Sequence, residues 1–150
     1  MVQWQEYGFS ALSVKQLYEL IKLRVDVFVV EQHCPYPELD GKDTLAQTRH
    51  LLGVDEHGAL VAYARILAPG VSYADSSIGR VVVARCARGA GLAESLMHRA
   101  IAIAQAQWPQ ANIQIGAQQY LCGFYQRLGF TPVSDVYLED GIPHVDMLLS

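Results

Sequence analysis

Arg88, Gly89 and Gly91 stand between a strand pattern and a helix pattern, a placement suited to holding an anion. Ile78-Gly79-Arg80-Val81-Val82-Val83-Ala84 is an apolar run rich in β-branched residues. Arg85-Cys86-Ala87-Arg88-Gly89-Ala90-Gly91-Leu92-Ala93 follows it as a short basic turn. An amphipathic helix is expected from about Gly91. The first turn of a helix carries N–H donors without internal partners, at the positive end of the macrodipole. Gly89 and Gly91 remove Cβ atoms that would keep a phosphate off the main chain. Arg88 adds a forked positive charge. The expected ligand group is a phosphate or pyrophosphate.

Three kinds of glycine loop compete for this stretch. A P-loop ends in Gly-Lys-Ser/Thr, so that a lysine reaches the phosphates and a hydroxyl holds magnesium. Nothing of that kind follows Gly91. A dinucleotide fingerprint needs a small residue where Glu94 stands, and an acid closing the next strand. That strand closes near Ile115-Gly116-Ala117-Gln118, without one. The third pattern is Arg/Gln-x-x-Gly-x-Gly/Ala after an apolar strand, and Arg88, Gly91 and Ala93 match it in register. It resembles the pyrophosphate loop of the GNAT superfamily, the acyl-CoA N-acyltransferases. Phe124-Tyr125-Gln126-Arg127-Leu128-Gly129-Phe130 resembles a second signature of that family. The two stand in the right order, with room for one helix and one strand between them. Phe28-Val29-Val30-Glu31-Gln32, Cys34-Pro35-Tyr36 and Ile78 to Val83 resemble its ElaA-like branch.

A chain of 150 residues has the length of one domain, residues 1–150. Half of it is apolar, at 51%, as in a globular protein. No apolar run reaches the roughly 20 residues of a membrane span. Met1 to Glu6 shows no basic segment leading into an apolar one, so no secretory signal is expected. The formal charge of −4 weighs against nucleic acid as the main partner. Cys34, Cys86 and Cys122 are odd in number and far apart, which suggests neither disulfides nor zinc. His33 beside Cys34 lacks further ligands, so no metal is expected. The expected compartment is a reducing cytoplasm.

The elements that must position the loop follow from periodicity. Gln3 to Tyr7 reads as a strand. Ser13 with Gln16 fits a capping box, and Leu17, Leu20, Ile21 and Val25 give the helix after it one buried face. Helix is expected through Arg24 to Glu31, weakened by Val25, Val27, Val29 and Val30. Prolines and a glycine keep His33 to Thr44 irregular. Arg49 to Val54 and Ala59 to Leu67 form a hairpin. Ile78 to Ala84 is the central strand, expected to be buried on both faces. Leu92, Leu96, Ala100 and Ile103 share a helix face, and Pro109 ends that helix. Asn112 to Ala117 is a strand, Gln119 to Leu128 a helix stopped by Gly129. Phe130 to Val133, Val136 to Glu139 and Val145 to Leu149 complete the sheet. The fold class is α/β, a single-domain mixed β-sheet flanked by helices, in agreement with the GNAT-like fold that the motifs imply.

By resemblance, the main chain of Val81, Val82 and Val83 would pair with the pantetheine amides of acetyl-CoA. Arg88, Gly89, Ala90, Gly91, Leu92 and Ala93 would hold the pyrophosphate. Tyr125 would donate a proton to the departing thiolate, as the tyrosine at this position commonly does in the family. The implied reaction moves an acetyl group to a primary amine by direct attack in a ternary complex. A non-catalytic acyl-CoA sensor is the alternative. It draws on the lack of a carboxylate within Ile78 to Ala84, where many relatives place their base. His50, Glu31, His144 or water remain for that role. Glu31, Glu38, Asp40 and Asp43 would favour a cationic acceptor if their loop lines the pocket; a solvated acidic loop is the other reading. Arg65 and Arg80 sit inside strands, where they would pair with loop carboxylates or approach the substrate, and pairing is the favoured reading. Cys86 reads as a small filler beside the loop rather than a reactive thiol. The acceptor, small molecule or protein amine, is left open, and a homodimer is a family habit only.

Overall fold

Ser13 starts the first helix as its spacing predicts. Its hydroxyl accepts the Gln16 N–H at 3.0 Å, and the Gln16 side chain accepts the Ser13 N–H at 2.9 Å. A computed structural model describes residues 1–150. In it α1 (Val14–Arg24) runs without a break into a π-helical stretch, Val25–Glu31. The expected helix is therefore there, but wound wider. Four stiff valines crowd an ordinary turn, and a wider one gives them room.

An eight-stranded sheet carries the rest. Its strands are β1 (Gln3–Gly8), β2 (Arg49–Val54), β3 (Leu60–Leu67), β4 (Ser76–Val83), β5 (Ile113–Gln118), β6 (Thr131–Pro132), β7 (Tyr137–Glu139) and β8 (Ile142–Leu149). The order is β1-β2-β3-β4-β5-β8-β6, with β7 also on β8. Only β4 and β5 are parallel, joined by α2 (Leu92–Gln107). α3 (Cys122–Arg127) follows β5. β8 begins at Ile142, three residues before the expected Val145, because it pairs β7 across the Asp140-Gly141 turn.

Alternation sends neighbouring residues to opposite faces. Leu51, Ala62, Ala64, Ile66, Ile115 and Met147 meet α2 and α3 in the larger core. Leu52, Tyr63 and Val82 meet Leu20 and Val27 in a second core under α1 and its π-helical end. α2 buries Leu96, Met97, Ala100 and Ala104. The expected Leu92 and Ile103 lie at the rim of that face. At Gly53 a Cβ would stand 2.7 Å from the Trp4 ring and 3.1 Å from Ala62 Cβ. Gly53→Ala is expected to destabilise the fold by about 1–3 kcal/mol, read as a lower denaturant midpoint at unchanged slope.

The feature that makes the site is a failure of pairing. β4 meets β5 at Ser76↔Ile113 and Ser77↔Gln114, and nowhere beyond. Two steps along β3, from Tyr63 to Arg65, oppose three along β4, from Val82 to Gly79. The extra residue is a bulge at Arg80, which adopts φ +51°. β4 thus bends while β5 continues along β8. The sequence pattern suggests a strand buried throughout, yet Gly79, Arg80, Val81 and Val83 are half-buried, because a cleft opens beside them.

Candidate active site

The cleft between β4 and β5 encloses about 1030 Å³. Its β4 wall is a row of main-chain groups without strand partners. Ala84 N–H donates to Val61 O at 2.8 Å, on the β3 side. By alternation the amides of Val83 and Val81 point the other way, into the cleft. Val82 lies between them with its side chain in the second core and its amide toward β3. An edge of this kind accepts another extended, amide-bearing chain.

The turn after β4 closes one end. Gly89 and Gly91 adopt φ +90° and +72°, and nothing lies within 4 Å of where a Cβ would stand. Their glycine character therefore serves the left-handed turn as well as close approach. The main-chain N–H groups from Gly89 through Ala90, Gly91, Leu92, Ala93 and Glu94 meet no acceptor in the chain. All of these residues but Ala90 border a hollow of about 210 Å³. Arg88 stands at its rim. Its Nε donates to Val83 O at 3.0 Å, and its two terminal nitrogens grip Glu31 at 2.7 and 3.1 Å. Cys86 is exposed, so it is not the filler the sequence suggests.

Tyr125 lines the cleft from α3. It is 8% exposed, edge-on to Phe124 at 5.1 Å and to Phe130 at 6.0 Å. Burial pushes its phenol up to about 12. No hydrogen bond within the chain engages its hydroxyl, and that atom is not sealed from the cleft.

The cleft passes through the sheet. Ile115, Ala117, Val145 and Met147 belong to the core under α2 and α3, the Tyr125 side. Their paired neighbours Gly116↔Asp146 and Gln118↔His144 therefore face the opposite side. Gln118 reaches Gln32 there at 3.4 Å, so the π-helix covers the same face. Two partners can thus enter from opposite sides and meet where β4 leaves β5.

The three candidate bases separate cleanly. His50 is fully buried, and both ring nitrogens are engaged. Its Nδ1 lies 2.6 Å from Tyr63 Oη and its Nε2 2.9 Å from Asp43 O. Burial lowers its proton affinity. It holds the proline loop and has no route to the cleft. Glu31 lines the cleft, but the Arg88 hydrogen bonds and charge keep its carboxyl below the usual range. His144 lines the cleft on the face away from Tyr125.

The acids of the proline loop are neither a charged lure for a cation nor a solvated stretch. Glu38 accepts from Arg24 at 2.6 Å and Arg80 at 2.9 Å. Asp43 accepts from Arg24 at 2.6 Å and Arg65 at 3.2 Å. Asp40 accepts two bonds from Arg65, each of 2.9 Å. Three arginines thus answer three carboxylates, and the loop offers no net charge to a cation. The expected pairing of Arg65 and Arg80 with loop carboxylates is what the structure shows. The fourth acid, Glu31, is spent on Arg88.

A family model described as an acetyltransferase (GNAT) domain matches residues 5–150. The chain belongs to the GNAT acetyltransferase family. It is 46% identical to Protein ElaA of Escherichia coli (strain K12) over 147 residues, 98% of this chain and 95% of that one. A crystal structure of an acyl-CoA N-acyltransferase from Pseudomonas aeruginosa matches it with a TM-score of 0.95 at 43% identity. The crystal structure of Escherichia coli ElaA matches with 0.94 at 45%. Both matches cover the whole of both chains. Proteins of this fold use acyl-CoA, and acyl transfer is the chemistry of the family. No helix in it is long and apolar enough to cross a membrane.

Sequence reasoning missed Arg24. Its signal was present: Arg24 follows Leu17, Leu20 and Ile21 at helical spacing, on the face the sequence marks as buried. A cation at such a position needs a buried anion.

Proposed function

We propose that this GNAT chain is an acetyl-CoA-dependent N-acetyltransferase acting on a primary amine by direct attack in a ternary complex. The observation that carries the reading is the parting of β4 and β5 after Ser77, beside the unpartnered amides of Gly89 to Glu94. The residues present fit coenzyme A. Val81 and Val83 supply an open edge for its amides. Gly89, Ala90, Gly91, Leu92 and Ala93 supply donors for its diphosphate. Arg88 would exchange Glu31 for that diphosphate. Bound acetyl-CoA would supply an activated acyl carbon. The chain supplies alignment, exclusion of water by Phe124 and its neighbours, and a proton at the Tyr125 hydroxyl.

The test is thiol release from acetyl-CoA with a panel of alkylamines. Amine-dependent release supports the enzyme. Tight CoA binding with no release on any amine overturns it in favour of a sensor. The loop itself is tested by Arg88→Ala. Losing charge-assisted hydrogen bonds worth about 1.5–3 kcal/mol is expected to weaken CoA binding roughly 10–100-fold. Calorimetric titration reads this, and an unchanged Kd would move the diphosphate away from Arg88.

A further inference from the structure

An alkylamine arrives protonated and must lose a proton before its nitrogen can attack. β4 offers no carboxylate between Ser76 and Val83. His50 is sealed, and Glu31 stands beside Arg88 at the diphosphate end of the cleft, away from the acyl end. His144 has the geometry the task requires. It lines the cleft on the face opposite Tyr125 and is 8% exposed. Its Nδ1 lies 2.7 Å from Ile142 O. A carbonyl oxygen can only accept, so Nδ1 carries the ring proton and Nε2 presents the lone pair. The ring stacks on Tyr137 at 6.0 Å and 24°, and Tyr137 is itself anchored to Asp146 at 2.6 Å. Glu139 Oε2 lies 3.4 Å from Nε2. A carboxylate there gains little from a neutral ring and much from a protonated one. At 59% exposed, it can also yield to an incoming cation and draw it toward Nε2.

We propose that His144 is the general base of the transfer, with Glu139 as the positioning residue that stabilises its imidazolium. This rests on the acetyltransfer reading above. His144 Nε2 takes one proton from the ammonium and later releases it to solvent. The nitrogen forms the C–N bond, and the C–S bond breaks with its electron pair going to sulfur. Tyr125 gives sulfur a proton and regains one from the nitrogen as the amide forms. The groups against the His144 ring are Glu139 and Tyr137 from β7, and the uncharged Gln118 from β5.

The test uses the full chain, acetyl-CoA and the alkylamine of highest turnover in the panel. His144→Asn keeps a donor for the Ile142 carbonyl but has no basic nitrogen. It is expected to lower kcat roughly 10²–10⁴-fold with CoA affinity and melting temperature held. Only amine already neutral in solution then reacts, so below the amine's own pKa its rate climbs tenfold per pH unit while the parent's levels off. A rate within threefold of the parent overturns the proposal, as does a loss without that change of slope. Should His144→Asn not fold, Glu139→Gln decides at an exposed position. A fall of roughly fivefold, the worth of one partly exposed ion pair, supports the assignment, and no change overturns it. A parent that turns over no alkylamine overturns the acetyltransfer reading and this one together; a parent active beside an equally active variant overturns this one alone.

Discussion

Tyr125→Phe is expected to lower kcat by roughly 10²–10⁴-fold while leaving CoA affinity and melting temperature close to those of the parent. The ring is held by Phe124 and Phe130, and phenylalanine preserves both contacts. The hydroxyl has no partner in the chain, so its removal leaves nothing unsatisfied. The variant therefore separates chemistry from packing. A thiolate leaving group titrates near 8.5 as a free thiol, well below a phenol pushed up to about 12. Full transfer in the ground state is uphill, and the donor acts as negative charge builds on sulfur. The same burial keeps the phenol protonated from pH 6 to 9, roughly three units below its titration. The deficit of Tyr125→Phe is thus expected to be constant across that range in thiol-release assays. A kcat within threefold of the parent would remove Tyr125 from the reaction. A deficit that grows with pH would show that the phenol ionises far lower than its surroundings dictate.

What could be read from the sequence was local. The strand, turn and helix from Ile78 to Ala93 depend on neighbours in the chain: valines for the strand, Gly89 and Gly91 for the turn, Leu96 and Ala100 for the helix face. Ser13 and Gln16 were legible for the same reason. The parting of β4 from β5 was not. It is set by pairings between residues far apart in sequence, Ser77 with Gln114 and Gly116 with Asp146, and by one bulged residue, Arg80. The bases were unreadable because their fate depends on who surrounds them. His50 and His144 both lie near the start of a strand, yet one is locked between Tyr63 and Asp43 and the other borders the cleft. The acidic stretch misled for a physical reason as well. Its carboxylates look unpaired in sequence because Arg24, Arg65 and Arg80 join them across gaps of 14 to 42 residues.

Arg24→Met is expected to cost about 3–5 kcal/mol, a fall in Tm of roughly 6–20 °C for a domain of this size. Arg24 is fully buried, bonds Glu38 and Asp43 at 2.6 Å each, and lies over the Tyr63 ring at 5.6 Å. Methionine fills much of the volume but leaves three carboxylates facing two arginines. Adding Asp43→Asn removes the surplus charge and is expected to recover part of the loss. The pH dependence follows from the carboxyls. Burial alone would raise Asp43, but the Arg24 hydrogen bond and charge outweigh it and hold the group below its usual range. Arg65 does the same for Asp40 against its own burial. A folded-state pKa below the unfolded value of about 3.9 stabilises the fold above that pH, and the contribution is lost as pH falls through the folded value. The gap in stability between the parent and Arg24→Met is therefore expected to narrow from pH 5 toward pH 3 in denaturant titrations. A loss under 1 kcal/mol at pH 7 would mean that Arg65 and Arg80 suffice. The network also fastens the proline loop to β3 and β4 on the face away from Tyr125, where Arg80 covers Tyr36 at 5.7 Å. A variant that still folds should raise KM for the amine more than Kd for CoA, because the loop that Arg24 secures bonds β4 at Arg80, whereas the diphosphate turn follows the end of that strand.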